Sequence, residues 1–82
     1  MKIEERVAEG VMKGVAKIFN KNVTELTRET RFVEDMLAKS VNIVALVALL
    51  ENEFGIEIPY MQARRRKSIG EAIDLIVDLR QR

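Results

Sequence analysis

The sequence predicts an all-α fold: a four-helix bundle of three longer helices and a short third helix, with a long loop between helices 1 and 2. Three observations predict it. Apolar residues recur at helical spacing in separate stretches of the chain. Residues that start and stop helices (Ser40, Gly55, Pro59 and Ser68) stand between those stretches. The segment 20–39 carries only scattered apolar anchors, so it reads as a connection.

The first helix rests on Ile3, Val7, Val11, Val15 and Ile18, closing on Phe19. Gly10 and Gly14 fall inside it, each costing about 1 kcal/mol relative to Ala. Both lie on the side of Ile3 and Val7, which predicts close approach of another helix. Their G-x-x-x-G spacing marks a membrane dimer only in an apolar segment, and Glu9, Lys13 and Lys17 exclude that. In the connection, Val23, Leu26, Phe32, Val33 and Met36 are the expected anchors.

Ser40 opens the second helix, which runs to Phe54 and ends at Gly55. A serine before an apolar run is an N-cap signal. Ile43, Leu46, Val47, Leu50 and Phe54 form its core stripe. The opposite stripe, Val41, Ala45, Ala48 and Asn52, carries no charge, which is unusual for the outer face of a soluble helix. Pro59 suits the first position of a brief third helix running to about Lys67, with Arg64, Arg65, Arg66 and Lys67 on it. Ser68 and Glu71 have capping-box spacing. Ile69, Ala72, Ile73, Ile76 and Val77 carry the fourth helix to the C-terminus.

Composition narrows the chemistry. The 82 residues make one domain, 1–82, that is 48% hydrophobic and 33% charged. A chain this short buries roughly 60–65% of its unfolded surface. The net charge of +1 argues for neither nucleic-acid binding nor stable membrane insertion. No apolar run approaches the roughly 18 residues of a membrane span, and the N-terminus is too polar for a signal peptide; a cytoplasmic monomer is expected. The chain has neither Cys nor His. That removes disulfides, thiolate nucleophiles, histidine acid–base chemistry and most zinc sites, and no metal is expected. An 82-residue bundle also leaves little room for a water-excluded active site, so an enzyme is not expected.

Three stretches, in register over nearly the whole chain, carry a family resemblance. Phe32-Val33-Glu34-Asp35-Met36-Leu37-Ala38-Lys39-Ser40-Val41 is similar to F-x-E-D-L-G-x-D-S-L. Leu50 to Pro59 is similar to L-E-x-E-F-x-x-E-I-P, and Ile69 to Ile76 resembles a closing helix. Together they resemble the acyl carrier protein family. The resemblance implies an acyl-carrier-type bundle that carries acyl groups as thioesters on a 4′-phosphopantetheine arm at Ser40. It implies lipid or fatty acid biosynthesis as the setting. The implied partners are a phosphopantetheinyl transferase, an acyl-loading enzyme and an acyltransferase. It also implies an acyl pocket, for which Leu46, Val47, Leu50, Phe54, Arg66 and Ile73 are the candidates. A phosphodiester at Ser40 would meet the free N–H groups and positive dipole end of a helix.

The chain departs from the family pattern in one direction. Lys39 stands where the family has Asp, and Leu37 where it has Gly. The family's acidic docking stripe corresponds to Val41, Ala45, Ala48 and Asn52. Its acidic third helix corresponds to Arg64, Arg65, Arg66 and Lys67. Arg66 also aligns with an apolar pocket residue, so a more polar cargo such as a hydroxylated chain is expected. Its guanidinium is expected either out in water or over the pocket mouth. A carrier so altered should dock poorly on partners built for an acidic surface. This predicts a specialised lipid pathway, lipid A or another envelope lipid for example, rather than general fatty-acid synthesis. Three other readings stay open on sequence. Ser40 alone reads as a simple cap, leaving an unmodified interaction module. Peptidyl and aminoacyl carriers share the motif. The basic run alone reads as a solvated face.

Overall fold

The computed structural model describes residues 2–81. Four α-helices follow in order: α1 Ile3–Phe19, α2 Ser40–Phe54, α3 Tyr60–Arg64 and α4 Ile69–Arg80, with a 3₁₀ turn at Val23–Glu25. Among the described residues there is no strand, only an isolated bridge between Arg31 and Ser68. The helical bundle expected from the periodicity is the fold observed.

The core lies where α1, α2 and α4 meet. Val7, Val11 and Val15 face Leu46 and Leu50, with Ile69, Ile73 and Ile76 completing the contact, and all are buried. Each such side chain contributes roughly 1.5–3 kcal/mol by leaving water. The two α1 glycines are explained by α2. A Cβ on Gly10 would stand 2.5 Å from the Phe54 ring, and one on Gly14 2.9 Å from Leu49. Their helix-propensity cost is therefore offset by close packing of α2 on α1.

The 20–39 connection is laced to the head of α4. The Phe32 N–H donates to the Lys67 carbonyl (3.0 Å), Ile69 N–H to Thr30 (2.9 Å), and Gly70 N–H to Arg28 (2.8 Å). Phe32 is buried, its ring 6.2 Å from that of Phe19, and Leu26 and Met36 pack on the core edge. Val23 and Val33 are not anchors: they are 44% and 63% exposed, on turns that direct them outward.

Four local expectations are corrected. The third helix ends at Arg64, not Lys67. Arg65 and Arg66 close it with 3₁₀-type bonds to Gln62 and Ala63, and the chain then straightens to pair with the connection. Pro59 is the N-cap of α3, not its first residue. Ser40 is the first helical residue of α2, and Lys39 is the N-cap. At α4, Ser68 Oγ accepts from the Glu71 N–H (3.2 Å) as expected, but the Glu71 carboxylate reaches back to the N–H of Lys67, not of Ser68.

Candidate functional site: the head of α2 and the cavity behind it

Ser40 owes its position to the turn before it. Phe32 anchors that turn in the core. The Asp35 carboxylate accepts from the Arg31 N–H at 2.7 Å, fixing the start of the turn. Leu37 N–H donates to Val33 and Ala38 N–H to Phe32, closing it. The closure requires φ of +55° at Leu37, a left-handed conformation that glycine adopts without steric cost. The family's glycine thus has a backbone reason, and this chain meets the same geometry with a leucine that is 77% exposed.

The chain then enters α2 in extended conformation at Lys39. The Asn42 side chain accepts from the Lys39 N–H at 2.8 Å, capping the helix from within. Ser40 is therefore free of the capping duty its position suggested. It is exposed and its hydroxyl has no hydrogen-bond partner among the described residues. The N–H groups of Ser40 and Val41 likewise have no protein acceptor, whereas those of Asn42 and Ile43 donate to the Lys39 carbonyl. An esterified phosphate on Ser40 would meet unsatisfied donors and the positive end of a 15-residue helix.

The exposed stripe of α2 is uncharged, and the residues at the end of α3 are basic. Val41, Ala45, Ala48 and Asn52 are all exposed along α2. The sequence reading missed Val44 and Met61, which are also exposed (52% and 53%). Val44 sits one position outside the stripe and Met61 on a helix too short to show a face. Lys39, Arg64, Arg65 and Lys67 are exposed with no ion-pair partner among the described residues.

Behind α2, a cavity of about 30 Å³ lies between α2, α3 and α4. It is lined by Leu46, Val47, Leu50 and Arg66 of the expected set, together with Phe32, Ile43, Ile58, Ala63, Ala72, Leu75 and Ile76. The Ala72/Ile76 pair at i, i+4 was the available signal for the α4 wall. Two expected residues lie elsewhere. Phe54 packs on α1 over Gly10, with the Arg80 guanidinium 5.6 Å from its ring centroid. Ile73 is buried on a different side of α4, bordering a groove with Glu4, Arg28 and Asp74. Arg66 is half-buried: it lines this cavity and also borders an open groove, and its Nε is buried without a partner.

Fold and site together define a small helical domain that presents one unpaired serine hydroxyl at a helix N-terminus in front of a narrow apolar cavity. No helix among the described residues is long and apolar enough to cross a membrane. The chain is 33% identical over 76 residues to an acyl carrier protein of Rickettsia canadensis (strain McKiel), covering 93% of this chain and 88% of that relative. It is 34% identical over 70 residues to an acyl carrier protein of Helicobacter pylori (strain G27), covering 85% and 90%. No protein-family model matches the chain. The chain belongs to the acyl carrier protein family, whose members are carriers and not enzymes.

Proposed function

We propose that this protein carries acyl groups on a 4′-phosphopantetheine arm esterified to Ser40. The observation that carries the reading is the exposed, unpaired Ser40 hydroxyl beside two unsatisfied helix N–H groups, within the segment that resembles the family's attachment motif. The group's contribution is a terminal thiol that takes an acyl chain as a thioester. The protein's own residues do the rest. Asn42 holds the helix entry so that Ser40 stays available, and the N–H groups of Ser40 and Val41 favour the phosphate. Lys39, next to Ser40, adds a positive charge that the family pattern lacks.

The partners are those that membership of the family implies. A phosphopantetheinyl transferase installs the arm, and an acyl-loading enzyme and an acyltransferase supply and remove the cargo. Because Lys39, Arg64, Arg65 and Lys67 are exposed cations and the exposed stripe of α2 is uncharged, those partners present acidic or apolar groups. This favours a dedicated lipid pathway, lipid A or another envelope lipid for example, over general fatty-acid synthesis, with the protein a cytoplasmic monomer.

Intact mass after co-expression with a phosphopantetheinyl transferase tests the reading. The chain has no cysteine, so any thiol in the pure protein comes from the arm. Wild type is expected to gain the mass of the arm and react with a thiol dye; Ser40→Ala is expected to do neither. A wild type that no transferase modifies would leave the fold as an unmodified interaction module.

A further inference from the structure

Arg66 stands at an unusual place in this bundle. Its Nε is buried and has no hydrogen-bond partner. The cavity it lines is otherwise apolar, walled by Ile43, Leu46, Val47 and Leu50 of α2 and by Ala72 and Ile76 of α4. The same side chain also borders an open groove containing Glu71, Asp74 and Asp78. No ion pair to Arg66 forms there among the described residues: Asp74 holds Arg28 at 2.9 Å, and Glu71 accepts the Lys67 N–H.

A buried donor without an acceptor is costly unless something supplies one. Water is a poor candidate. The free volume admits about one or two waters, but a buried water needs two to four polar partners, and the side chains of this lining offer one. The lining supplies a donor and no side-chain acceptor. The complementary group is therefore an oxygen that only accepts, carried on an apolar chain. A hydroxyl would satisfy the Nε–H but leave its own O–H without a side-chain acceptor.

Building on the carrier reading above, we infer that the cavity discriminates among acyl chains through Arg66 Nε and favours a chain bearing an oxo group over its hydroxyl counterpart, and both over the plain chain. This keeps the more polar cargo expected from sequence and ranks the oxo chain ahead of the hydroxylated one. Arg66 is a specificity residue for cargo held between α2 and α4. Entry of the chain requires the helices to part, because the cavity as it stands is too small for more than the smallest segment.

The test uses the modified protein loaded with chains of one length that bear an oxo group, a hydroxyl or neither, the substituent being walked along the chain. The readout is the NMR signal of the Arg66 Nε–H. At one substituent position the oxo chain is expected to shift that signal and slow its exchange with water by about tenfold or more, as a charge-assisted hydrogen bond would. The plain chain is expected to leave it unchanged. In Arg66→Met and Arg66→Lys, which lack the Nε–H, the core shifts caused by oxo and plain chains should coincide. Three results overturn the inference: no substituent position protects the Nε–H further, the hydroxyl chain protects it better than the oxo chain, or the plain chain protects it as well as the oxo chain. Intact mass separates the two readings. If Ser40 never takes the arm, the carrier reading fails and this inference fails with it. If the chain loads and the Nε–H ignores it, only this inference fails.

Discussion

Leu37→Gly should stabilise the protein, against the usual expectation for a glycine introduced into a folded chain. Leu37 has φ of +55°. That conformation costs an L-residue with a Cβ roughly 1–2 kcal/mol. Glycine removes the cost but adds about 0.5–1 kcal/mol of unfolded-chain entropy. At 77% exposure the leucine side chain returns little by burial. The net expectation is a gain of about 0.5–1 kcal/mol, which for a domain of this size raises Tm by about 2–8 °C. Thermal and urea unfolding followed by circular dichroism would measure it, with the m-value unchanged. Leu37→Ala is the control, because it removes the exposed side chain and keeps the strain; it should leave Tm nearly where it was. If glycine lowers Tm, or alanine raises it as much as glycine, the strain argument is wrong.

Three further outcomes are expected. Arg66→Met should stabilise the arm-free protein by about 1–3 kcal/mol, since it replaces a buried unpaired donor with an apolar chain of similar reach; urea denaturation would show a fall if the Nε–H were satisfied in solution. Ala45→Glu lies on an exposed helix position where Glu is well tolerated, so folding should be unaffected while affinity for the cognate partner drops. That affinity should also weaken from low salt to 0.1 M, where exposed charges are screened beyond about 10 Å; titration calorimetry showing neither effect would refute an acidic partner. Millimolar calcium or magnesium should leave Tm unchanged, because net charge is +1 and the described residues contain no acidic group of three arranged to hold a metal; a rise of several degrees would contradict this.

What could be read from the sequence was what depends on local pattern. Both ends of α1 and of α2 follow from apolar period and stop residues, and the glycines at 10 and 14 signalled close approach of another helix, which is α2, because helix propensity gave them no other purpose. The third helix was overextended for a non-local reason. Arg64-Arg65-Arg66-Lys67 is good helical sequence, and nothing in it reveals that Lys67 must straighten to receive the Phe32 N–H from the connection. The cap of α2 failed differently. Ser40 looked like a cap, but Asn42, inside the helix, accepts from Lys39, and either arrangement suits the same residues. The exposure of Val33 and the buried, unpaired Nε of Arg66 were illegible, because side-chain type does not set these; the left-handed Leu37 had a signal in the glycine of the family pattern. The pocket was half legible for a related reason. Periodicity identifies which residues are buried but not which neighbour they face, so Phe54 and Ile73 were placed in the core correctly and in the cavity wrongly.

The two costly features of this chain lie where a carrier meets its surroundings. Leu37 is strained and exposed three residues before Ser40, and Arg66 buries an unpaired donor in the wall of the cavity. The core face of α1 shows neither defect: Val7, Val11 and Val15 are fully buried. Either defect is removable by one substitution, so neither is forced by the fold. A residue that costs stability and returns no packing returns something else or nothing. The alternatives separate when stability and function are measured on the same variants. If the features are functional, Leu37→Gly should gain Tm and lose partner affinity, and Arg66→Met should gain Tm and lose discrimination between oxo and plain chains. Phe32 closes the turn that holds Leu37 and lines the cavity with Arg66, so a double variant whose stability gain departs from the sum by more than about 0.5 kcal/mol would show the two sites to be coupled. Gains in Tm with partner affinity and cargo discrimination intact would mean that the departures around Ser40 carry no functional weight, and that the specialisation argued from them is unsupported.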